Sequence, residues 1–356
     1  MVKLGFFSDQ VIYGGGESNL VRLARQASEV CDVTIVAPYG DLLDKARESG
    51  LKTIPIQAKS RWIKGVPVCW ERDVRLLRQF DIVHAYSLHI LPKLLGHPKL
   101  FWTVHGPWEK PWGLRAKIIS RHVLSVISVS NDVTKHCNIP KERLTTIPLG
   151  GVSEHDCANP LNQNFSLRDK DTVNIGVLGR IQEVKGQDLA IIAAAKLAVN
   201  NPQRAFNLHL GGTVNKLNSK DVHYKAALDQ LTLKYADIQN LAIIWHGFID
   251  RPLDFIDAMD LMLVPSRYES FGIALIESLA RGKLVVAPDI GGPAEIISNS
   301  EFGQKFRPGN ENSLYETLDS CIKSVDFNPS MVVSRARKFT LEEQWSSLWR
   351  LYSSHT

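Results

Sequence analysis

Two carboxylates stand eight residues apart in the stretch Pro265-Ser266-Arg267-Tyr268-Glu269-Ser270-Phe271-Gly272-Ile273-Ala274-Leu275-Ile276-Glu277. Glu269 falls in a loop after an apolar run of strand length, and Glu277 falls two turns into the helix that follows. Gly272 frees the backbone where that helix begins, so amide N–H groups there can point at a phosphate. A carboxylate among Leu275, Ile276, Ser278 and Leu279 needs a partner, and the vicinal hydroxyls of a ribose would serve. The alternative for Glu277 is an ordinary exposed helix charge, which those apolar neighbours disfavour.

A second constellation is Gly179-Arg180-Ile181-Gln182-Glu183-Val184-Lys185-Gly186. Arg180 and Lys185 bracket a short loop ahead of a helix, where two cations can hold a diphosphate and stabilise it as it departs with negative charge. Two solvated surface charges are the plain alternative. The spacing is not that of the G-x-x-x-x-G-K-[ST] phosphate loop. Gly14-Gly15-Gly16-Glu17 also follows a strand and opens a helix, but it lacks the G-x-G-x-x-G dinucleotide pattern. His105, in Thr103-Val104-His105-Gly106, sits just past a strand end and can meet a sugar hydroxyl, although taken alone a structural histidine is the favoured reading. His84 occupies a similar place after the preceding strand.

The elements that must position these residues alternate along the chain. Strands are expected at Val2–Phe7, Asp32–Ala37, Asp81–Ala85, Leu100–Val104, Val126–Val129 and Leu144–Ile147, with a glycine-rich loop at Ser8–Glu17 and a helix at Ser18–Glu29. The pattern restarts with strands at Val173–Leu178, Phe206–Leu210, Ala242–Trp245, Leu261–Pro265 and Leu284–Ala287. Helices are expected at Gln187–Asn200, Tyr224–Tyr235, Leu253–Met259, Ile273–Arg281 and Leu314–Lys323. Strands separated by helices imply parallel sheets, hence two α/β domains in tandem. The boundaries expected are 1–160 for the first domain and 161–339 for the second. The polar stretch Asn159–Asp171 serves as linker, and a final helix within 340–356 returns to the first domain. Open parallel sheets bind ligands beyond the carboxyl ends of their strands, so the loops after Phe7, Val104, Leu178 and Pro265 are expected to line a cleft.

Composition bounds the rest. The chain has 356 residues, 44% hydrophobic and 22% charged, which excludes a disordered or fibrous protein. Five scattered cysteines with no C-x-x-C pair make a disulfide framework or structural zinc site improbable. No apolar run reaches the roughly 20 residues a bilayer requires, and the N-terminus carries no signal-peptide pattern. A cytoplasmic protein is expected. The net charge of +5 is uneven: residues 1–160 hold 21 basic and 15 acidic side chains, residues 161–356 hold 21 and 22. The basic excess belongs to the first half.

Taken together, these residues resemble the retaining glycosyltransferases of family 4, which have the two-domain GT-B fold of facing Rossmann-like domains. Gly179-Arg180 with Lys185-Gly186 resembles that family's G-R-x-x-x-x-K-G motif, Glu269 to Glu277 its E-x7-E motif, and Ile147-Pro148-Leu149-Gly150 its I-P-x-G segment. Asp289 to Glu295 resembles the turn that follows in the family. The chain departs from the pattern where Leu149 replaces an asparagine and where no proline follows Gly282. The resemblance implies that Arg180 and Lys185 bind a donor diphosphate, Glu277 the ribose and Glu269 a hydroxyl of the donor sugar. Backbone N–H groups from Ser270 and Phe271 to Ile273, with Gly272, would meet the sugar or phosphate. Gly15 and Gly16 would let the first domain close over the phosphates, Phe248 would meet the base, and His105 would lie near the reacting carbon. The catalytic candidates are thus His105, Glu269, Arg180 and Lys185.

The reaction so implied moves a sugar from a UDP- or GDP-sugar to a hydroxyl of a glycan or lipid-linked acceptor with retention, by a front-side route without a glutamate nucleophile. No Asp-x-Asp metal motif is evident, so neither metal nor cofactor is expected. Acceptor candidates are Trp108, Trp112 and Glu17. Five tryptophans (Trp62, Trp70, Trp102, Trp108, Trp112) fall in one stretch, interleaved with Lys59, Arg61, Lys64, Arg72, Arg75 and Arg78 and followed by Lys110, Arg115, Lys117 and Arg121. Such a mixture suits an anionic membrane surface or glycan, or else describes core tryptophans beneath a solvated surface. Nucleic acid is not expected as a partner, because no recognition motif accompanies the charge. The competing readings are a GT-B-fold nucleotide-sugar epimerase and a non-catalytic nucleotide-sugar-binding protein.

Overall fold

A computed structural model of the chain describes residues 1–57, 61–63, 66–68, 74–110, 112–158, 165–168, 170–324 and 326–355. Lys59, Lys64, Trp70, Arg72 and most of the expected linker lie outside the described residues, and for Arg61, Trp62 and Arg115 only the backbone is described. The chain divides into two compact units, Met1–Gly150 together with Leu341–Thr356, and Gly151–Thr340.

The first unit is built on a seven-stranded, wholly parallel sheet. Its strands are β1 (Lys3–Phe7), β2 (Asp32–Ala37), β3 (Lys52–Pro55), β4 (Ile82–Ala85), β5 (Leu100–Val104), β6 (Ser125–Ser128) and β7 (Leu144–Thr146). They lie in the order β3-β2-β1-β4-β5-β6-β7. Both faces are covered, which is why these strands read as unbroken apolar runs: Leu4, Phe6, Phe7, Ile35, Val36, Phe101 and Trp102 are all buried.

The last helix, Leu341–Ser353, belongs to this unit because Leu341, Trp345, Leu348 and Tyr352 complete its core beside Leu20, Leu23 and Phe101. A buried polar latch secures it. Gln344 Oε1 accepts from Asn19 Nδ2 (2.9 Å) and from the Gly150 amide (2.8 Å), and Asn19 Nδ2 also donates to the Gly150 carbonyl at 2.8 Å.

The second unit carries a six-stranded parallel sheet with strands β8 (Thr172–Leu178), β9 (Ala205–Gly211), β10 (Leu241–Gly247), β11 (Leu261–Leu263), β12 (Leu284–Pro288) and β13 (Gln304–Phe306). Their order is β10-β9-β8-β11-β12-β13. In each sheet the order reverses beside the first strand, between β1 and β4 and between β8 and β11. The crevice at such a reversal is where open α/β sheets take ligands.

Several boundaries differ from expectation for local reasons. The helix placed at Ser18–Glu29 runs over Gly15–Ala27, so Gly15, Gly16 and Glu17 form its first turn rather than a loop. Gly14 supplies the N-cap backbone, and its carbonyl accepts the Ser18 amide at 2.8 Å. The helix expected at Tyr224–Tyr235 starts earlier, at Ser219, where the Asn218 side chain accepts the Lys220 amide. The helices Asp41–Glu48, Gly291–Ile296 and Pro329–Ala336 and strand β3 were not expected.

Candidate functional site

In the second unit the two constellations meet at the reversal point. The loop leaving β8 carries Arg180 and Lys185, the loop leaving β11 carries Glu269, and Lys185 Nζ donates to Glu269 Oε2 at 2.6 Å. The side chains of the pair are 26% and 14% exposed, so the contact is sheltered from full solvent screening. Ser266 Oγ is 3.4 Å from the same carboxylate oxygen.

Gly186 makes this approach possible. Its φ is +68°, and a Cβ there would fall 2.1 Å from the Pro265 carbonyl oxygen. Only glycine lets the Lys185 turn settle onto the end of β11.

Arg180 lies one residue beyond Gly179 and is exposed; its carbonyl accepts from Gln187 Nε2. Its guanidinium makes no ion pair among the described residues, which leaves a free cation at the mouth of the loop. Gly272, at φ +102°, caps the helix Ile273–Ala280. The Glu269 carbonyl accepts the Gly292 amide at 3.0 Å, so the Gly291–Ile296 helix buttresses the carboxylate loop.

Glu277 is buried within the helix at 7% exposure, not an exposed surface charge. Ser270 and Phe271 are also buried, and Phe271 packs edge-on against Phe339. Phe271 therefore has only its backbone to offer a ligand. Phe248, after β10, is 55% exposed and available for stacking.

A brace absent from the sequence expectations holds the two loops together. Arg267 grips Asp188 in a bidentate contact (2.9 and 2.6 Å) and donates to the Glu183 carbonyl at 2.7 Å. Its own amide donates to the Val184 carbonyl at 2.8 Å. Tyr224 Oη donates to Asp188 at 2.6 Å. Burial pushes the Asp188 carboxyl up, but the Arg267 and Tyr224 hydrogen bonds outweigh it and hold the group below the usual carboxylate range.

In the first unit, His105 follows β5 and its ring packs against Tyr86, with centroids 5.2 Å apart. Desolvation lowers its pKa to about 4, so the imidazole is neutral at pH 7. His84 is a structural residue: it is fully buried, its ring nitrogens are engaged by Tyr352 Oη and Thr103 Oγ1, and burial lowers its pKa to about 3. Gly15 and Gly16 lie in a helical first turn, whose amides have no intrahelical partners. A Cβ on Gly16 would meet nothing within 4 Å.

The tryptophans divide: Trp102 is wholly buried in β5, while Trp108 and Trp112 are 63% and 48% exposed. Leu114, Ile118, Lys110, Lys117 and Arg121 are exposed on the same segment. Among the described residues there is no cluster of three or more metal-ligating side chains and no helix long and apolar enough to cross a membrane.

The arrangement in the second unit presents one free cation, a second held by a carboxylate, and a glycine-capped helix start at a sheet reversal. That combination suits a diphosphate joined to a hydroxyl-rich group.

The family model of glycosyl transferases group 1 matches residues 159–338, and that of glycosyltransferase family 4 matches residues 13–150. The chain belongs to the glycosyl transferases group 1, and its two sheets are those of the GT-B fold. A D-inositol 3-phosphate glycosyltransferase of Rhodococcus jostii is 32% identical over 140 residues, 39% of this chain but only 30% of that relative's length. The lipopolysaccharide core biosynthesis mannosyltransferase LpsB of Rhizobium meliloti is 23% identical across 92% of this chain and 99% of its own. Among solved structures, Anabaena HepE in complex with UDP superposes with a TM-score of 0.78 at 19% identity, covering 99% of this chain and 100% of that one.

Proposed function

We propose that the protein is a retaining glycosyltransferase that moves a hexose from a nucleoside diphosphate sugar to a hydroxyl of a glycan or lipid-linked acceptor in envelope glycoconjugate synthesis. The observation that carries this reading is the convergence of the β8 and β11 loops, with Lys185 on Glu269 and Arg180 exposed on the same β8 loop. In this reading Arg180 and Lys185 take the diphosphate, and Glu277 takes the ribose. Glu269 accepts from a sugar hydroxyl while the amides at Gly272 and Ile273 face the phosphate or sugar.

The cations neutralise the leaving diphosphate, so no metal ion is required. His105, neutral and half-buried at the exit of β5, is the first unit's candidate for a part in the transfer step. Departure of the diphosphate opens the anomeric carbon on the face where the acceptor hydroxyl then attacks, and the leaving phosphate oxygen takes the hydroxyl proton. UDP-sugars are the first donors to test, since HepE has been solved with UDP-glucose; GDP-sugars are the second.

The exposed Trp108, Trp112, Leu114 and Ile118, with Lys110, Lys117 and Arg121, suit docking of the first unit on the anionic inner face of the cytoplasmic membrane, where a lipid-linked acceptor would be met. Screening UDP- and GDP-hexoses for release of the nucleoside diphosphate, with and without acceptor glycans, tests the reading. Release from one donor, abolished in Arg180→Ala and Lys185→Ala, is expected. Conversion of the donor into an epimeric nucleotide sugar would replace the reading with an epimerase, and binding without turnover with a non-catalytic binder.

A further inference from the structure

Glu109 lies outside the donor-binding constellation, yet its surroundings are unusual for a carboxylate. It closes the short turn Pro107–Glu109 and is 8% exposed. From there its two oxygens serve two different loops. Oε1 accepts the backbone N–H of His105 at 2.7 Å, and Oε2 accepts the backbone N–H of Leu88 at 3.0 Å. Leu88 lies past the end of β4 and His105 past the end of β5, where the sheet no longer supplies carbonyl partners. The turn is held in shape by Glu109 N–H donating to the Gly106 carbonyl (3.2 Å) and by Lys110, the only non-glycine residue with positive φ (51°) among those described.

We propose that Glu109 is the positioning residue for His105, and that its ionised carboxylate, by tying the exits of β4 and β5 together, holds the imidazole in the pose that transfer requires. The inference rests on the part in the transfer step proposed above for His105.

Two acceptor atoms are needed, and only the carboxylate has two. A glutamine offers one carbonyl oxygen, and a protonated glutamic acid likewise keeps one good acceptor, so each abandons either His105 or Leu88. Burial pushes the Glu109 carboxyl up to about 7, against the pull of the His105 and Leu88 amides. Among the described residues, the strongest influences on it include no cation. Asp9, beyond β1, adds repulsion; the buried indole N–H of Trp102 attracts without reaching hydrogen-bond geometry. The Cys137 thiol is pushed up to about 12 by burial and by the charge of Glu109, and the Tyr86 hydroxyl is pushed further up. The His105 ring stays neutral down to about pH 4. Loss of function on acidification toward pH 6 therefore reports Glu109 and not His105.

The test is the pH profile of kcat and KM for the full chain, wild type against Glu109→Gln and Glu109→Asp, with amide hydrogen exchange at Leu88 and His105 measured in parallel. The wild type should lose about tenfold in kcat from pH 8 to pH 6, one proton being taken up near 7. Glu109→Gln should start about tenfold or more below wild type with little change in donor KM and no such acid limb, and Glu109→Asp should restore part of the limb. After correction for intrinsic rates, protection of the two amides should fall below pH 7 in the wild type but not in Glu109→Gln. An unchanged acid limb in Glu109→Gln, or pH-independent protection of both amides in the wild type, overturns the proposal. Should no nucleotide sugar be turned over at any pH, the transfer reading fails, and the exchange measurement still decides whether Glu109 positions His105.

Discussion

Replacing Glu269 with glutamine separates two tasks that one ion pair couples. Lys185 is held by Glu269 at 2.6 Å, and the pair is mostly sheltered from solvent. A pair of this exposure is worth a net of about 1–2 kcal/mol, between the surface and fully buried cases. Lys185 must give up that interaction, at least in part, to serve a diphosphate. Glu269→Gln removes the competitor, so UDP or GDP alone should bind about 5–30-fold more tightly. The same change takes a charged acceptor from the sugar hydroxyl, at about 1.5–3 kcal/mol, so kcat for transfer should fall by about 10–150-fold while the tighter hold on the diphosphate lowers the donor KM. Lys185→Ala should weaken both. Titration calorimetry with the nucleoside diphosphate, beside steady-state transfer assays, reads the two effects separately. Nucleoside diphosphate binding that weakens in Glu269→Gln would refute the reasoning, because Lys185 would then not be the shared partner.

Arg267→Ala should lower the melting temperature of the second unit by about 4–8 °C at pH 7, from about 2 kcal/mol for a half-sheltered bidentate pair. Because the Asp188 carboxyl is held below its ordinary range, its contribution exists above that range and is lost as pH falls through the folded value. The gap between wild type and Arg267→Ala should therefore close below about pH 4, as calorimetry across pH would show. Gln344→Ala strands the Gly150 amide and one Asn19 donor in a buried site, and should cost the first unit about 1–3 kcal/mol in denaturant titration. Trp112→Ser with Lys117→Glu should reduce flotation with anionic vesicles while leaving donor hydrolysis unchanged; equal flotation would discard the membrane face.

The fold was legible where apolar runs were long and uninterrupted. The helix Gln187–Asn200 announces itself through Leu189, Ile191, Ala194 and Leu197, all buried, and β5 through Leu100 to Val104. Elements opened by glycine or proline were not: the first turn at Gly15 and Gly16 and the Gly291–Ile296 helix have weak local propensity and are set by tertiary contacts such as Gly292 to Glu269. At the site, residue types and order singled out Arg180, Lys185, Glu269 and Glu277, but not which groups touch. Lys185 and Glu269 are 84 residues apart in sequence, and their contact depends on Gly186 fitting against Pro265. Arg267 had no role legible in the sequence, because its partner Asp188 lies 79 residues away. Glu109 carried a faint signal, a lone acid four residues after His105 in a strand-exit turn, which acquires meaning only once the Leu88 amide is seen beside it.

Transfer with retention from a nucleotide sugar is tested most directly by the anomer first released. Proton NMR of donor hydrolysis, followed before mutarotation equilibrates the free sugar, needs no knowledge of the acceptor. Retention predicts that an α-linked UDP- or GDP-hexose releases the α-anomer first, with the β-anomer growing in only by mutarotation. Initial release of the β-anomer would contradict it.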